Sequence, residues 1–187
     1  MPVITVIGSR ETPKDKLEQL TSLSKQFSDS NWVLRSGGAP GAADTAGELG
    51  FRNHLKEIYL PWKGFNGNNS DLVAPKFLNW HKAVELTLYL HPSPGILKSR
   101  PSILALMGRN IYQILGRQLN SPTDIVLCWT LNGLEIGGTA QALRVCTWYK
   151  EETGQQIPIV NLGNTSFDDA KTLLSKLKQE IEGKVKP

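Results

Sequence analysis

Cysteine is scarce in this chain of 187 residues: Cys128 and Cys146 are the two it has. Two thiols cannot staple a secreted scaffold, and neither belongs to a CxxC pair of the kind that holds zinc. Histidine is as thin, and His54, His81 and His91 stand far apart without ligand spacing, so no metal site is implied. Long apolar runs are missing too. Nothing approaches the ~18 residues of a membrane span, and Met1 leads into a strand-like run rather than a layered leader. The dinucleotide fingerprint GxGxxG, the Walker lysine loop and the GxSxG elbow are all absent. That disfavours a standard dinucleotide fold, phosphoryl transfer through a P-loop and serine-hydrolase chemistry. These absences point to a cytoplasmic, reduced chain with no cofactor signature and no membrane partner.

What remains is ordinary globular composition, with 40% hydrophobic and 20% charged residues. The length suits one domain over residues 1–187. Net charge is +4, but it is unevenly placed. Between Lys76 and Arg117 lie Lys76, Lys82, Lys98, Arg100, Arg109 and Arg117 against the single acid Glu85. A basic centre in an otherwise near-neutral chain points to a phosphate-bearing partner, small or polymeric; a solvated lysine face has the same composition.

Short apolar, β-branched runs recur at Val3–Ile7, Trp32–Leu34, Glu57–Leu60, Ile125–Trp129 and Ile157–Leu162. They are continuous rather than alternating, as in strands buried on both faces of a parallel sheet. Helical patterns alternate with them: a stripe of Leu17, Leu20, Leu23 and Phe27, then Ala39–Leu49, Pro75–Leu90, Ser102–Leu119 and Thr139–Lys150. A last helix carries Ala170, Leu173, Leu174, Leu177 and Ile181, with Ser166 and Asp169 as its capping pair. The expected fold is α/β: a Rossmann-like, doubly wound, mainly parallel sheet of at least five strands with helices on both faces. Pro61–Ser70 and His91–Pro101 read as irregular insertions.

In such a sheet ligands bind beyond the carboxyl ends of the strands. Three of those ends carry glycine: Gly8-Ser9-Arg10, then Ser36-Gly37-Gly38-Ala39-Pro40-Gly41-Ala42-Ala43-Asp44, and later Gly137-Gly138-Thr139. Any one of these is commonly just a tight strand-to-helix turn. Three on one edge make a shared ligand the better reading, because glycine lets backbone N–H groups approach a phosphate. Arg10 supplies a bidentate donor, and Thr139 a hydroxyl. Asp44 and Glu48, one helical turn apart, are the acid/base or ribose-binding candidates; Glu48 also fits a solvent-facing turn. In the Pro61–Ser70 loop, Trp62 and Phe65 either stack on a base, with Lys63 on a phosphate, or plug the loop onto the core. Cys128 in an apolar strand and Cys146 on a helix read as inert buried thiols.

Taken in order, GSR, SGGAPGAADTAGELG, Tyr59-Leu60-Pro61, Arg109-Asn110 and GGTAQAL resemble the SLOG superfamily, which contains DprA and the Lonely Guy phosphoribohydrolases. The order most resembles the DprA core and spans about Val3 to Leu162. The resemblance implies a nucleotide pocket lined by Gly8, Ser9, Arg10, Ser36, Gly37, Gly38, Gly41, Ala42, Asp44, Lys63, Arg109, Asn110, Gly137, Gly138 and Thr139, with Arg109 meeting phosphate. The Lonely Guy pattern PGGxGTxxE departs here: with its GT on Gly138-Thr139, Ala142 stands in the glutamate's place. The chain has no room for the modules that flank DprA's core, so a solitary domain is expected.

The leading expectation is a protein that senses or sequesters a nucleotide or nucleotide-derived small molecule. One alternative is an N-glycosidase acting on a nucleoside monophosphate, with Asp44 or Glu48 in the missing role. The other is single-stranded DNA binding, with Lys76, Lys82, Arg100, Arg109 and Arg117 along the phosphates. The resemblance also implies a homo-oligomer, and a phage or mobile-element origin suits the chain as well as a host one.

Overall fold

The computed structural model describes residues 1–185. Its elements run β1 (Val3–Gly8), α1 (Lys14–Ser28), β2 (Val33–Ser36), α2 (Ala43–Gly50), β3 (Lys56–Ile58), α3 (Trp80–Leu90), α4 (Pro94–Ser99), α5 (Pro101–Leu115), β4 (Ile125–Trp129), α6 (Gly137–Thr153), β5 (Ile159–Asn161) and α7 (Phe167–Val185). The five strands form one parallel sheet in the order β3-β2-β1-β4-β5. This is the Rossmann-like α/β fold expected from the alternating pattern.

The apolar runs of β1 and β4 are continuous because these strands feed two cores. From β1 and β4, Ile4, Val6, Ile125, Leu127 and Trp129 face one side, where Leu20, Phe27, Ala46 and Leu174 of α1, α2 and α7 cover them. Ile7, Val126 and Cys128 face the other, against Ala83, Ile111, Ile114 and Val145 of α3, α5 and α6. The capping pair before α7 forms: the Ser166 hydroxyl accepts from the Asp169 N–H at 3.2 Å and donates to its carboxylate at 2.6 Å.

Several boundaries differ from the sequence pattern, each for a backbone reason. The helix expected from Ala39 begins at Ala43, because Gly38 and Gly41 take left-handed φ of 64° and 63°. The one expected from Pro75 begins at Trp80, after Asn79 at φ 62°. α5 stops at Leu115 rather than Leu119, since Gly116 at φ 76° ends it. The irregular stretch His91–Pro101 contains the short α4. Among the described residues no helix is long and apolar enough to cross a membrane.

Candidate functional site at the carboxyl ends of the strands

Chain order in the sheet reverses between β1 and β4: β2 and β3 lie to one side of β1, and β4 and β5 lie to the other. Crossovers therefore leave in opposite directions, and a crevice opens at their divergence. A cleft of about 580 Å³ lies there, a size usual for small-molecule sites. Its floor is Gly8, Ser9 and Arg10 after β1. One wall is Thr130, Ile136, Gly137, Gly138 and Thr139 between β4 and α6, and the opposite wall is Ala39, Pro40, Trp62 and Phe65. Leu106, Met107 and Asn110 of α5 close the back.

The expected residues divide into two sets. Gly8, Ser9, Arg10, Asn110, Gly137, Gly138 and Thr139 come together as cleft lining. Arg10 is exposed there, and the first turn of α6 presents the unpaired N–H groups every helix start carries. Gly137 takes φ 66° to make that entry. The Asn110 amide donates to the Gly138 carbonyl at 2.9 Å and so ties α5 to this turn.

Ser36, Gly37, Gly38, Gly41, Ala42, Asp44, Glu48, Lys63 and Arg109 do not line the cleft. Most of them build a buried strut beneath it. Asp44 is 1% exposed. Its carboxylate accepts from Gly37 N–H at 2.9 Å and Gly8 N–H at 3.2 Å, with Gln113 Nε2 at 3.5 Å. Arg109 is also buried, with Nη1 3.7 Å from Asp44 and 3.2 Å from Gln113 Oε1. A Cβ on Gly37 would fall 1.1 Å from that Nη1, so glycine here makes room for a guanidinium, not for a phosphate. Gly8 serves close packing as well, since a Cβ there would meet the Cβ of Ala43 at 2.6 Å.

Burial pushes the Asp44 carboxyl up from its ordinary value, opposed by the Arg109 charge and the two N–H donors. It pushes Arg109 down, opposed by Asp44. Glu48 is half-buried and bonded by the Ser36 hydroxyl, which in turn accepts from Gly38 N–H at 3.2 Å. Burial raises Glu48 too, with the Ser36 bond opposing. Asp44 and Glu48 therefore hold the β2 loop rather than face the cleft. Arg109 Nε and Asn110 Oδ1 are buried polar atoms without a hydrogen-bond partner.

The Pro61–Ser70 loop folds over the strut. The Asn66 amide donates to the Gly38 carbonyl at 3.1 Å, and the Phe65 ring lies 5.7 Å from the Arg109 guanidinium carbon. Trp62 meets Phe65 edge to face at 5.1 Å. Lys63 is exposed. The basic central run is not one rail. Arg109 is buried, and Arg117 lies past the end of α5 remote from the cleft, 2.9 Å from Glu57. Lys76, Lys82, Lys98 and Arg100 are exposed. Gln113 and the Thr130–Asn161 pair, whose hydroxyl and amide bond at 2.7 Å, were not legible as site residues. Gln113 does stand one helical turn from Arg109, the spacing that lets the two meet.

The class these features define is a Rossmann-like α/β domain with a cleft at its switch point. A solved structure similar to this chain is that of DNA processing protein A from Helicobacter pylori, described for its single-stranded DNA binding mode. The match covers 96% of this chain and 81% of that one, with a TM-score of 0.53 at 13% identity, which shows a shared DprA-like fold. No protein-family model matches the sequence, and no curated protein does either.

Proposed function

We propose that this chain, taken as one SLOG-like domain, binds a nucleotide or nucleotide-derived small molecule in the switch-point cleft. The observation that carries the reading is the convergence of the exposed Arg10 with the first turn of α6 on one cleft of about 580 Å³. A helix start and a guanidinium both favour phosphate, and the apolar side chains of the lining, Trp62, Phe65, Leu106 and Met107, give a base somewhere to lie. Holding rather than turnover is the reading taken, because neither Asp44 nor Glu48 lines the cleft, Ala142 stands where the Lonely Guy pattern has its glutamate, and the carboxylate that does line it, Glu11, is exposed to solvent. The assay is calorimetric titration with the four ribonucleoside 5′-monophosphates. Saturable binding that falls at least about tenfold in Arg10→Ala, with the melting temperature unchanged, is expected. Equal affinity in the folded variant refutes the assignment, and free base in the mixture would revive the glycosidase.

A second reading has its own support: the similar fold of DNA processing protein A makes single-stranded DNA a ligand to test. Binding by this route should weaken with salt at a slope of about −0.7 per phosphate contact. A homo-oligomer is part of the proposal only through the family resemblance, and sedimentation tests it.

A further inference from the structure

Trp62 is 41% exposed although tryptophan is a residue that folded chains mostly bury. It is not loose. Phe65 holds it edge to face at 5.1 Å, Phe65 rests over the buried Arg109 guanidinium, and Asn66 ties the loop to the Gly38 carbonyl. An indole clamped this way presents its remaining surface to the cleft it lines. We infer that Trp62 is the platform on which the cleft stacks a nucleobase, an inference that rests on the nucleotide reading above.

The placement of the walls supports this occupant. The loop with Trp62 follows β3, and α6 follows β4, three strand spacings away across the sheet, roughly 14 Å. The two ends differ in chemistry. The α6 end offers backbone N–H groups beside Leu131 and Ile136, and the far end offers Trp62 and Phe65, the aromatic rings of the lining, with Ala39 and Pro40 beside them. A ligand with an anionic head and a flat aromatic tail fits that polarity, and a nucleotide has both, joined by its sugar. An aromatic face accepts any base, so the platform contributes affinity without choosing among bases.

The test uses a ligand with and without its base. Ribose 5-phosphate and the four ribonucleoside 5′-monophosphates are titrated into the wild type, Trp62→Ala and Trp62→Phe. In Trp62→Ala, monophosphate affinity should fall roughly tenfold to a hundredfold, while ribose 5-phosphate binds as before. Trp62→Phe should keep most of the affinity and lose the quenching of intrinsic fluorescence that base stacking produces in the wild type. Unchanged monophosphate binding in folded Trp62→Ala overturns the inference and leaves the nucleotide reading standing. An equal fall for ribose 5-phosphate overturns it as well, because Trp62 would then act through loop position. If Trp62→Ala does not fold, wild-type monophosphates binding no tighter than ribose 5-phosphate, or without quenching, is the refuting result. No binding by any of these ligands overturns both readings together.

Discussion

Replacing Asp44 by Asn keeps the side chain's shape and removes its charge. The carboxylate now serves Gly8 N–H with one oxygen and Gly37 N–H with the other. An amide has one acceptor oxygen, so one of these donors would face an NH₂ group. Arg109, also buried, would lose its one ion-pair partner among the described residues and keep only the more distant charge of Glu48. Breaking a buried pair by removing one partner costs about 3–5 kcal/mol. The 3.7 Å separation is longer than a hydrogen bond, which places the expected loss near the low end, about 3 kcal/mol. That is a large share of the 5–15 kcal/mol typical of a whole domain. Urea unfolding followed by circular dichroism measures it, provided the slope m is unchanged. The double variant Asp44→Asn with Arg109→Met should recover part of the loss, since no lone charge is left buried. A loss under about 1 kcal/mol in the single variant would mean the carboxyl is already neutral in the fold, and the charged strut described above would be wrong.

Gly37→Ala should also destabilise by about 3 kcal/mol, because the new methyl occupies the Arg109 guanidinium site and comes 2.8 Å from Asp44 Oδ1; the same urea titration checks it. Burial would raise the Glu57 carboxyl, but the Arg35 bond and charge, the Tyr59 hydroxyl and Arg117 hold it below its ordinary 4.5. Its stabilisation is therefore present above pH 4.5 and lost as pH falls through the folded value. Glu57→Gln should flatten the acid limb of a stability–pH curve. Glu48 has the opposite sign: burial raises it above 4.5, so its contribution fades as pH rises through the folded value, and Glu48→Gln should remove that decline. Burial pushes the Cys146 thiol up to about 12 and Cys128 higher still. Ellman's reagent should therefore react with neither in the native protein and with both in denaturant.

The parallel sheet was legible because its central strands β1 and β4 carry apolar residues on both faces, which a period-independent run reveals. Helix starts were less legible. Nothing in the composition of Ala39–Ala42 says that Gly38 and Gly41 adopt left-handed backbone and delay α2 by a full turn. The glycine loops are visible in the sequence, but their purposes are not told apart there. A small residue after a strand has the same local signature whether it admits a ligand, as the Gly137–Gly138 turn does in the reading proposed, or admits a neighbouring side chain, as Gly37 admits Arg109. Only the partner across the fold distinguishes the cases, and Arg109 lies 72 positions away in the sequence.

This division explains why a charged pair sits beneath a binding cleft. Asp44 stands on α2, and its bonds reach the end of β1, the β2 loop and α5. Each of those contributes to the cleft or carries the loop that does. A hydrophobic plug would fill the same volume but would leave the N–H groups of Gly8 and Gly37 buried without acceptors, at about 1–3 kcal/mol each. The carboxylate satisfies both and fixes the loops before any ligand arrives, so less ordering remains for binding to supply. Two variants separate the roles. Arg10→Ala should weaken nucleotide binding at unchanged stability, because Arg10 is exposed and makes no ion pair among those described. Asp44→Asn should lose stability first and affinity only as the loops loosen. If the two variants traded effects, the carboxylate would be reaching the ligand and the arginine holding the fold, and the strut and the cleft would have to exchange places.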